Sequence, residues 1–216
     1  RMIMMSEYFL HDIPFETVYL HGIVRDGKGQ KFSKSLKNGV EPEEVIRQFG
    51  TDAIRMAMVV GIGPGNDTNF DIGKVKAYSK FANKMWNGAR FVIENTQDID
   101  WDKKYELDEE DKKSRDELDE LIKKATKEMT EYKLYIVADD LYHYFWHTFA
   151  DIIIERSKKK IAGGINVESA KYILVNHLTT LIKALHPFMP FVTEAIWREF
   201  PNLSEKDLIT AKWPVA

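Results

Sequence analysis

The sequence contains no cysteine, which excludes disulfide cross-links and cysteine-ligated metal centres. It also lacks any apolar run near the roughly 18 residues needed to cross a bilayer. Its apolar start, Met2–Met5, turns polar at Ser6 and Glu7 and carries no small-residue cleavage site, so it does not read as a signal peptide. These absences lead us to expect a cytoplasmic chain with no membrane partner. A surplus of positive charge is missing too: 31 Lys and Arg against 34 Asp and Glu leave a net charge of −3, which does not favour a nucleic-acid binder, since such domains usually carry a basic footprint. Residue 1 is Arg and the chain opens inside an apolar segment, so we expect a segment of a longer protein. Two phosphate-binding templates fail. Gly61, Gly63 and Gly65 miss the dinucleotide spacing because residue 66 is Asn66, and no Gly-x4-Gly-Lys-Ser/Thr occurs.

What is present supports a real core, since 44% of the 216 residues are hydrophobic. Charge is distributed unevenly. From Asp71 to Asn95 five cations (Lys74, Lys76, Lys80, Lys84, Arg90) meet two carboxylates, a local net of +3. From Gln97 to Tyr132 there are 14 acidic and 8 basic residues, a net of −6. The pair fits either two solvated helix faces of opposite sign or a surface that takes a polyanion on one side.

Val18–Asp26 (VYLHGIVRD) is β-rich, and Gly27–Gly29 turns the chain after it. Lys31–Asn38 is polar and reads as a loop. Glu41–Phe49 forms a helix with Pro42 at its start and Gly50 as its stop, and Thr51 is the expected N-cap of a helix through Val60. The glycines and Pro64 then break the chain, which places a boundary near Asp71.

Beyond that point the apolar period is helical. Val75, Tyr78, Ala82, Met85, Ala89 and Val92 draw one stripe, and Leu118, Leu121, Ile122, Ala125 and Met129 a second. A third helix is expected over Val137–Ile161, with Leu141, Phe145, Phe149, Ile152 and Ile153 facing inward. A fourth over Ala170–Leu185 carries Ile173, Leu174, Leu178, Leu181, Ile182 and Leu185. His186–Phe191 (HPFMPF) interrupts with two prolines, and Thr193 is the expected cap of a short fifth helix. Four long amphipathic helices and a short one make a helical bundle over residues 71–216.

Several candidates for chemistry reduce to structure. His143 and His147 lie one turn apart, but a metalloprotease helix would need Glu where Tyr144 stands, so we expect no metal. Asp151 is instead placed to pair with His147. Asp139 and Asp140 are adjacent and point apart, so they do not form a catalytic pair. On the basic helix Lys84, Asn87 and Arg90 recur at spacings of three, off the apolar stripe, and suit phosphates and base edges. Trp86 beside them either packs in the core or stacks on an unpaired base.

The most informative segment is Lys31-Phe32-Ser33-Lys34-Ser35, two lysines and two hydroxyls in a loop after a strand and a glycine turn. Such a set can converge on a triphosphate and stabilise charge that builds on a leaving pyrophosphate. The pentapeptide resembles the Lys-Met-Ser-Lys-Ser loop of the class I aminoacyl-tRNA synthetases, with Phe32 in place of Met. The flanks RMIMM, VYLHGIVRD and NGVEP, and the blocks Phe81–Asn95, Ala138–Lys158 and His186–Phe200, resemble the valyl branch of that family in the same order. Leucyl and isoleucyl members match these flanks less well.

The resemblance implies a mainly α fold: a helical-bundle anticodon-binding domain over 71–216, preceded over 1–70 by the C-terminal end of a Rossmann-like α/β catalytic domain. It implies Lys34 as the catalytic cation, with Lys31, Ser33, Ser35, His21 and Gly22 also binding ATP. It further implies tRNA, specifically valine tRNA, on Lys84, Asn87, Arg90 and Trp86, and ATP, magnesium and valine as what the full-length enzyme uses. The family's second nucleotide motif, His-Ile-Gly-His, is absent from these residues, so the segment alone is expected not to aminoacylate. One departure stands out. The family usually has Gly where this chain has Lys37, which matters if the backbone there needs a positive φ.

Overall fold

The computed structural model describes residues 1–33, 35–100, 103–201 and 207–215. The basic stripe helix forms as α4 (Ile72–Asn95), and the Asp71 side chain caps it by accepting the Gly73 N–H at 2.7 Å. Val75, Tyr78, Phe81, Met85, Ala89 and Val92 are its buried face. The acidic helix is α5 (Glu109–Thr130), capped by Asp108, with Leu118, Ile122 and Ala125 inward. The helix α8 (Val167–Leu185) runs through the centre, and all six apolar residues expected on its inner side are buried. Fully buried Phe81 knits the core, its ring centroid 4.8 Å from Tyr142 and 5.6 Å from Phe145, both edge-on.

The third helical run is longer and less regular than its sequence suggests. It is built of α6 (Leu134–His143), a π-helical segment (Tyr144–Ile154) and α7 (Glu155–Gly163). Leu141, Phe145, Phe149 and Ile153 recur at intervals of four. On a regular α-helix each such step overshoots a full turn by about 40°, so three steps would swing the stripe about 120° off the core. The wider π turn removes that drift and keeps all four side chains buried. Ile152 was expected on the inner face and is instead 57% exposed, because Ile153 and Ile154 take the inward positions.

The first 70 residues contribute α1 (Met2–Leu10), α2 (Pro42–Phe49), α3 (Thr51–Val59) and two short parallel strands, β1 (Val24–Arg25) and β2 (Thr68–Asn69), paired Val24 with Thr68 and Arg25 with Asn69. Of the expected strand over 18–26 only β1 meets a ladder partner among the described residues. Leu20 and Ile23 carbonyls still accept the Gly65 and Thr68 N–H groups, so the extended segment follows 65–70. Gly22 is where they touch: a Cβ there would lie 1.8 Å from the Asn66 carbonyl oxygen.

Two expected caps are displaced. Thr51 is the first helical residue of α3, and Gly50 at φ 86° occupies the cap position. Thr193 is buried inside α9 (Pro190–Arg198), three residues past the helix start. The free N–H groups at that start are met from α3 instead, where buried Asp52 accepts Phe191 N–H at 3.2 Å and Val192 N–H at 2.7 Å. Arg55, one turn on, donates to the Pro187 and Phe188 carbonyls at 2.8 and 3.1 Å. Burial raises the Asp52 carboxyl above its ordinary value, against the lowering effect of those two amides.

Candidate nucleotide loop and RNA-facing cleft

The loop after β1 is built on three polar side chains. Asp26 accepts the Lys28 and Gln30 N–H groups at 2.9 and 2.8 Å and closes the glycine turn. Asn38 then ties the far end of the loop to the near end. Its amide donates to Asp26 at 2.8 Å and to the Lys31 carbonyl at 3.3 Å, while its oxygen accepts Ser33 N–H at 2.9 Å. Inside the loop the Ser33 hydroxyl accepts Ser35 N–H at 3.2 Å. The Asn38 amide, followed by the Gln30 amide, holds the Asp26 carboxyl below its usual range. At the strand, Arg25 and the Ile23 amide both engage Asp67, with N–O separations of 2.7 Å to Ile23 N and 2.5 Å to the Arg25 guanidinium.

The candidate nucleotide residues fare differently. Lys31 and Ser35 are exposed and Ser33 is half-buried at the loop base. Lys34 lies outside the described residues. His21 is exposed, its Nδ1 2.8 Å from the Gly22 carbonyl oxygen, and it lines a separate hollow with Tyr19, Met58 and Tyr135. Gly22 has a structural reason to be glycine in the close approach to Asn66, whatever else it does.

Lys37 takes φ 49°, in the left-handed region that glycine adopts freely and lysine does not. The position does need the conformation that glycine favours.

The second candidate surface is a cleft of about 400 Å³ between α4 and α9, lined by Trp86, Ala89, Arg90, Ile93, Glu94, Gln97, Ile196 and Glu199. Trp86 is 37% exposed, so it belongs to this wall rather than to the core. Arg90 is exposed and sits 3.6 Å from Glu94, a solvated pair that a stronger anion can displace. Asn87 is exposed beside them. Lys84 does not join the cleft, because six residues along a helix place it about 120° around the axis from Arg90. Its ammonium is 2.6 Å from Asp151 and 4.1 Å from the Trp146 ring centroid, on the flank facing the π segment. His147 also meets Asp151, at 3.7 Å. Asp139 and Asp140 turn to different partners, His143 and Lys124. Ile196 and Glu199 reach the cleft from a segment more than a hundred residues downstream, and no spacing in the sequence announces them.

Elsewhere in the bundle, α5, α7 and α8 share a buried polar cluster. Asp111 is fully buried and accepts Arg156 at 2.8 Å, Lys160 at 2.9 Å and the Ser169 hydroxyl at 2.6 Å. Lys160 also reaches Asp108. Burial alone would raise the Asp108 carboxyl, but Lys160, the Asp111 amide and Asn166 together hold it at about 2.

Family models match two stretches of the chain: tRNA synthetases class I (I, L, M and V) over residues 1–71, and the anticodon-binding domain of tRNA ligase over residues 111–216. A valine–tRNA ligase from Petrotoga mobilis is 41% identical across 99% of this chain, and one from Thermotoga maritima is 39% identical across 99%. The chain spans only about a quarter of each of those relatives, 25% and 24%. Among solved structures, a LeuRS from Agrobacterium radiobacter in ternary complex with tRNA and LeuAMS superposes over 99% of this chain with a TM-score of 0.77 at 21% identity. That match covers 26% of the LeuRS chain. A Mycobacterium tuberculosis methionyl-tRNA synthetase gives 0.68 over 82% of this chain and 36% of its own, at 17% identity. At such identities the superpositions speak for the fold alone.

Proposed function

Because this chain belongs to the class I aminoacyl-tRNA synthetases, and its relatives are valine–tRNA ligases, we propose that it is the part of a cytoplasmic valine–tRNA ligase joining nucleotide chemistry to the tRNA grip. In this reading residues 1–70 complete the catalytic domain and residues 71–216 form the anticodon-binding domain. The full-length enzyme activates valine with ATP to an aminoacyl-adenylate and passes it to valine tRNA.

Loop 31–38 grips the triphosphate. Lys34 stabilises the negative charge that develops on departing pyrophosphate, as a movable ammonium can. Lys31 and the Ser33 and Ser35 hydroxyls hold the remaining phosphate oxygens, and His21 and Gly22 flank the nucleotide. The loop offers ammonium and hydroxyl groups, which suit phosphate oxygens better than a divalent cation, so magnesium arrives with the triphosphate.

The observation that carries the RNA half is the exposed Trp86 ring in an open cleft beside Arg90. A flat apolar face next to a guanidinium suits a splayed-out base and its phosphate. Trp86 stacks, and Asn87 and Arg90 meet base edge and backbone. Lys84 serves the tRNA from the other flank only by leaving Asp151.

In the full-length protein, Trp86→Ala should weaken tRNA binding about ten-fold, since base–aromatic stacking is worth about 1–3 kcal/mol. Lys34→Ala should slow valine-dependent pyrophosphate exchange heavily while leaving tRNA affinity nearly intact. Exchange that proceeds with leucine or isoleucine but not valine would move the protein to another branch of the family. Unaltered exchange in Lys34→Ala would remove the loop from the chemistry. The 216-residue chain alone should form no adenylate.

A further inference from the structure

Among the described residues four non-glycine residues take positive φ: His11, Lys37, Tyr132 and Asn166. Three of them have a local reason. His11 ends α1, Asn166 precedes α8, and Tyr132 follows the last turn of α5, where helix ends commonly adopt the left-handed conformation. Lys37 borders no helix. Glycine would take its φ without strain, and Asn or Asp would take it with less. Strained backbone that persists without a capping role is found where a side chain is needed for function.

The surroundings fit such a need. Lys37 is exposed and makes no ion pair among the described residues. It stands on the rim of an open depression of about 460 Å³ with Phe32, Ser33, Gly39 and Glu41, on the same loop as Lys31. Its backbone is not free to wander, because the next residue, Asn38, is fixed to Asp26, Lys31 and Ser33 at once. Lys37 thus lines the same hollow as Ser33 from a braced turn.

Resting on the nucleotide reading of this loop, we infer that Lys37 is an additional phosphate-binding residue, one that places its ammonium on the terminal phosphates of the nucleoside triphosphate. The left-handed turn is the conformation that aims it there. The charge contributes to holding ATP and pyrophosphate, and the glycine alternative would relax the turn while giving that contact up.

The test uses the full-length protein and separates charge from backbone. Inorganic pyrophosphate and ATP binding are measured by titration calorimetry at several salt concentrations, alongside the KM for ATP in pyrophosphate exchange. Lys37→Gln keeps the backbone demand and removes the charge. It should weaken both ligands about five- to ten-fold and flatten the salt dependence, while Lys37→Arg stays near the parent. Lys37→Gly should lose affinity as the Gln variant does, despite its easier backbone. Lys34→Gln is the reference. If it weakens binding and exchange while Lys37→Gln and Lys37→Gly bind like the parent, Lys37 is only a turn residue and the inference is overturned. If Lys34→Gln is equally silent, the nucleotide reading of the whole loop fails with it.

Discussion

His177 is fully buried on α8, stacked between Tyr144 and Phe149 with ring centroids 6.3 and 5.9 Å away and planes within 13° and 8°. Its Nδ1 lies 2.9 Å from the Ile173 carbonyl oxygen and its Nε2 3.2 Å from that of Ser114. Two carbonyls invite an imidazolium, since a neutral ring can donate to only one of them. Burial opposes the charge more strongly and lowers the pKa to about 4, with Arg156 adding to the effect and Asp111 working against it. The folded value is therefore depressed, and between pH 6.5 and 4 the unfolded chain binds the proton that the folded chain refuses. Stability is complete above pH 6.5 and is lost as the pH falls toward 4. An unfolded value of 6.5 and a folded value of about 4 give a loss of about 2 kcal/mol between pH 7 and 5, and about 3 kcal/mol by pH 4. The assay is urea unfolding of the chain at pH 7, 6 and 5, for the parent and for His177→Phe, which keeps the stacked ring and removes the titrating site. Half-buried His186 is also lowered by burial and stays constant in the comparison. The Asp108 contribution is lost only below its unfolded value of 3.8, outside this window. The parent should lose about 2 kcal/mol more than the variant. A parent whose stability holds level or rises toward pH 5 would mean that the imidazolium is bound between the two carbonyls, and would refute the reasoning.

Further outcomes follow from other contacts. Asp52→Ala leaves the Phe191 and Val192 amides without their acceptor and should cost about 1–2 kcal/mol in thermal or urea unfolding, with Asp52→Asn falling between. Asn38→Ala removes the ties between the two ends of the 31–38 loop. At about 1 kcal/mol per bond, trypsin cleavage within 31–37 should accelerate about ten-fold or more, while helix content by circular dichroism stays unchanged. Arg156→Met strips the fully buried Asp111 of one partner and should destabilise the chain by about 3 kcal/mol. Phe149→Ala opens the core under the π segment and should cost about 3–5 kcal/mol in the same assay.

The helices were legible because their apolar residues recur at helical spacing, and α4, α5 and α8 bury the residues that the stripes named. The start of α4 was legible because Asp71 follows a glycine-rich break and caps the helix. Local signals failed where the partner is remote in sequence. Thr193 looked like a cap, but the group that serves α9 is Asp52, 140 residues away from Val192. The π segment shows in the sequence only as a run of four-residue spacings that a 3.6-residue helix cannot keep inward, and it was read as ordinary helix. Trp86 could not be assigned to core or surface from its period alone. Its exposure depends on where α9 crosses α4. The loop itself was readable from its polar Lys31–Asn38 run, whereas its bracing by Asn38 and Asp26 was not, since neither residue type announces a twelve-residue span.

The stitching of α3 to the proline elbow has a practical meaning for dissecting the molecule. Asp52 and Arg55 precede Asp71 in the chain, yet they serve the opening of α9, whose Ile196 lines the cleft beside Trp86 and Arg90. A shortened chain starting at Ile72 would keep α4 to α9 and still lose the Asp52 and Arg55 contacts that fix the start of α9 and with it one wall of the cleft. Autonomy of residues 72–216 has to be sought with α3 attached.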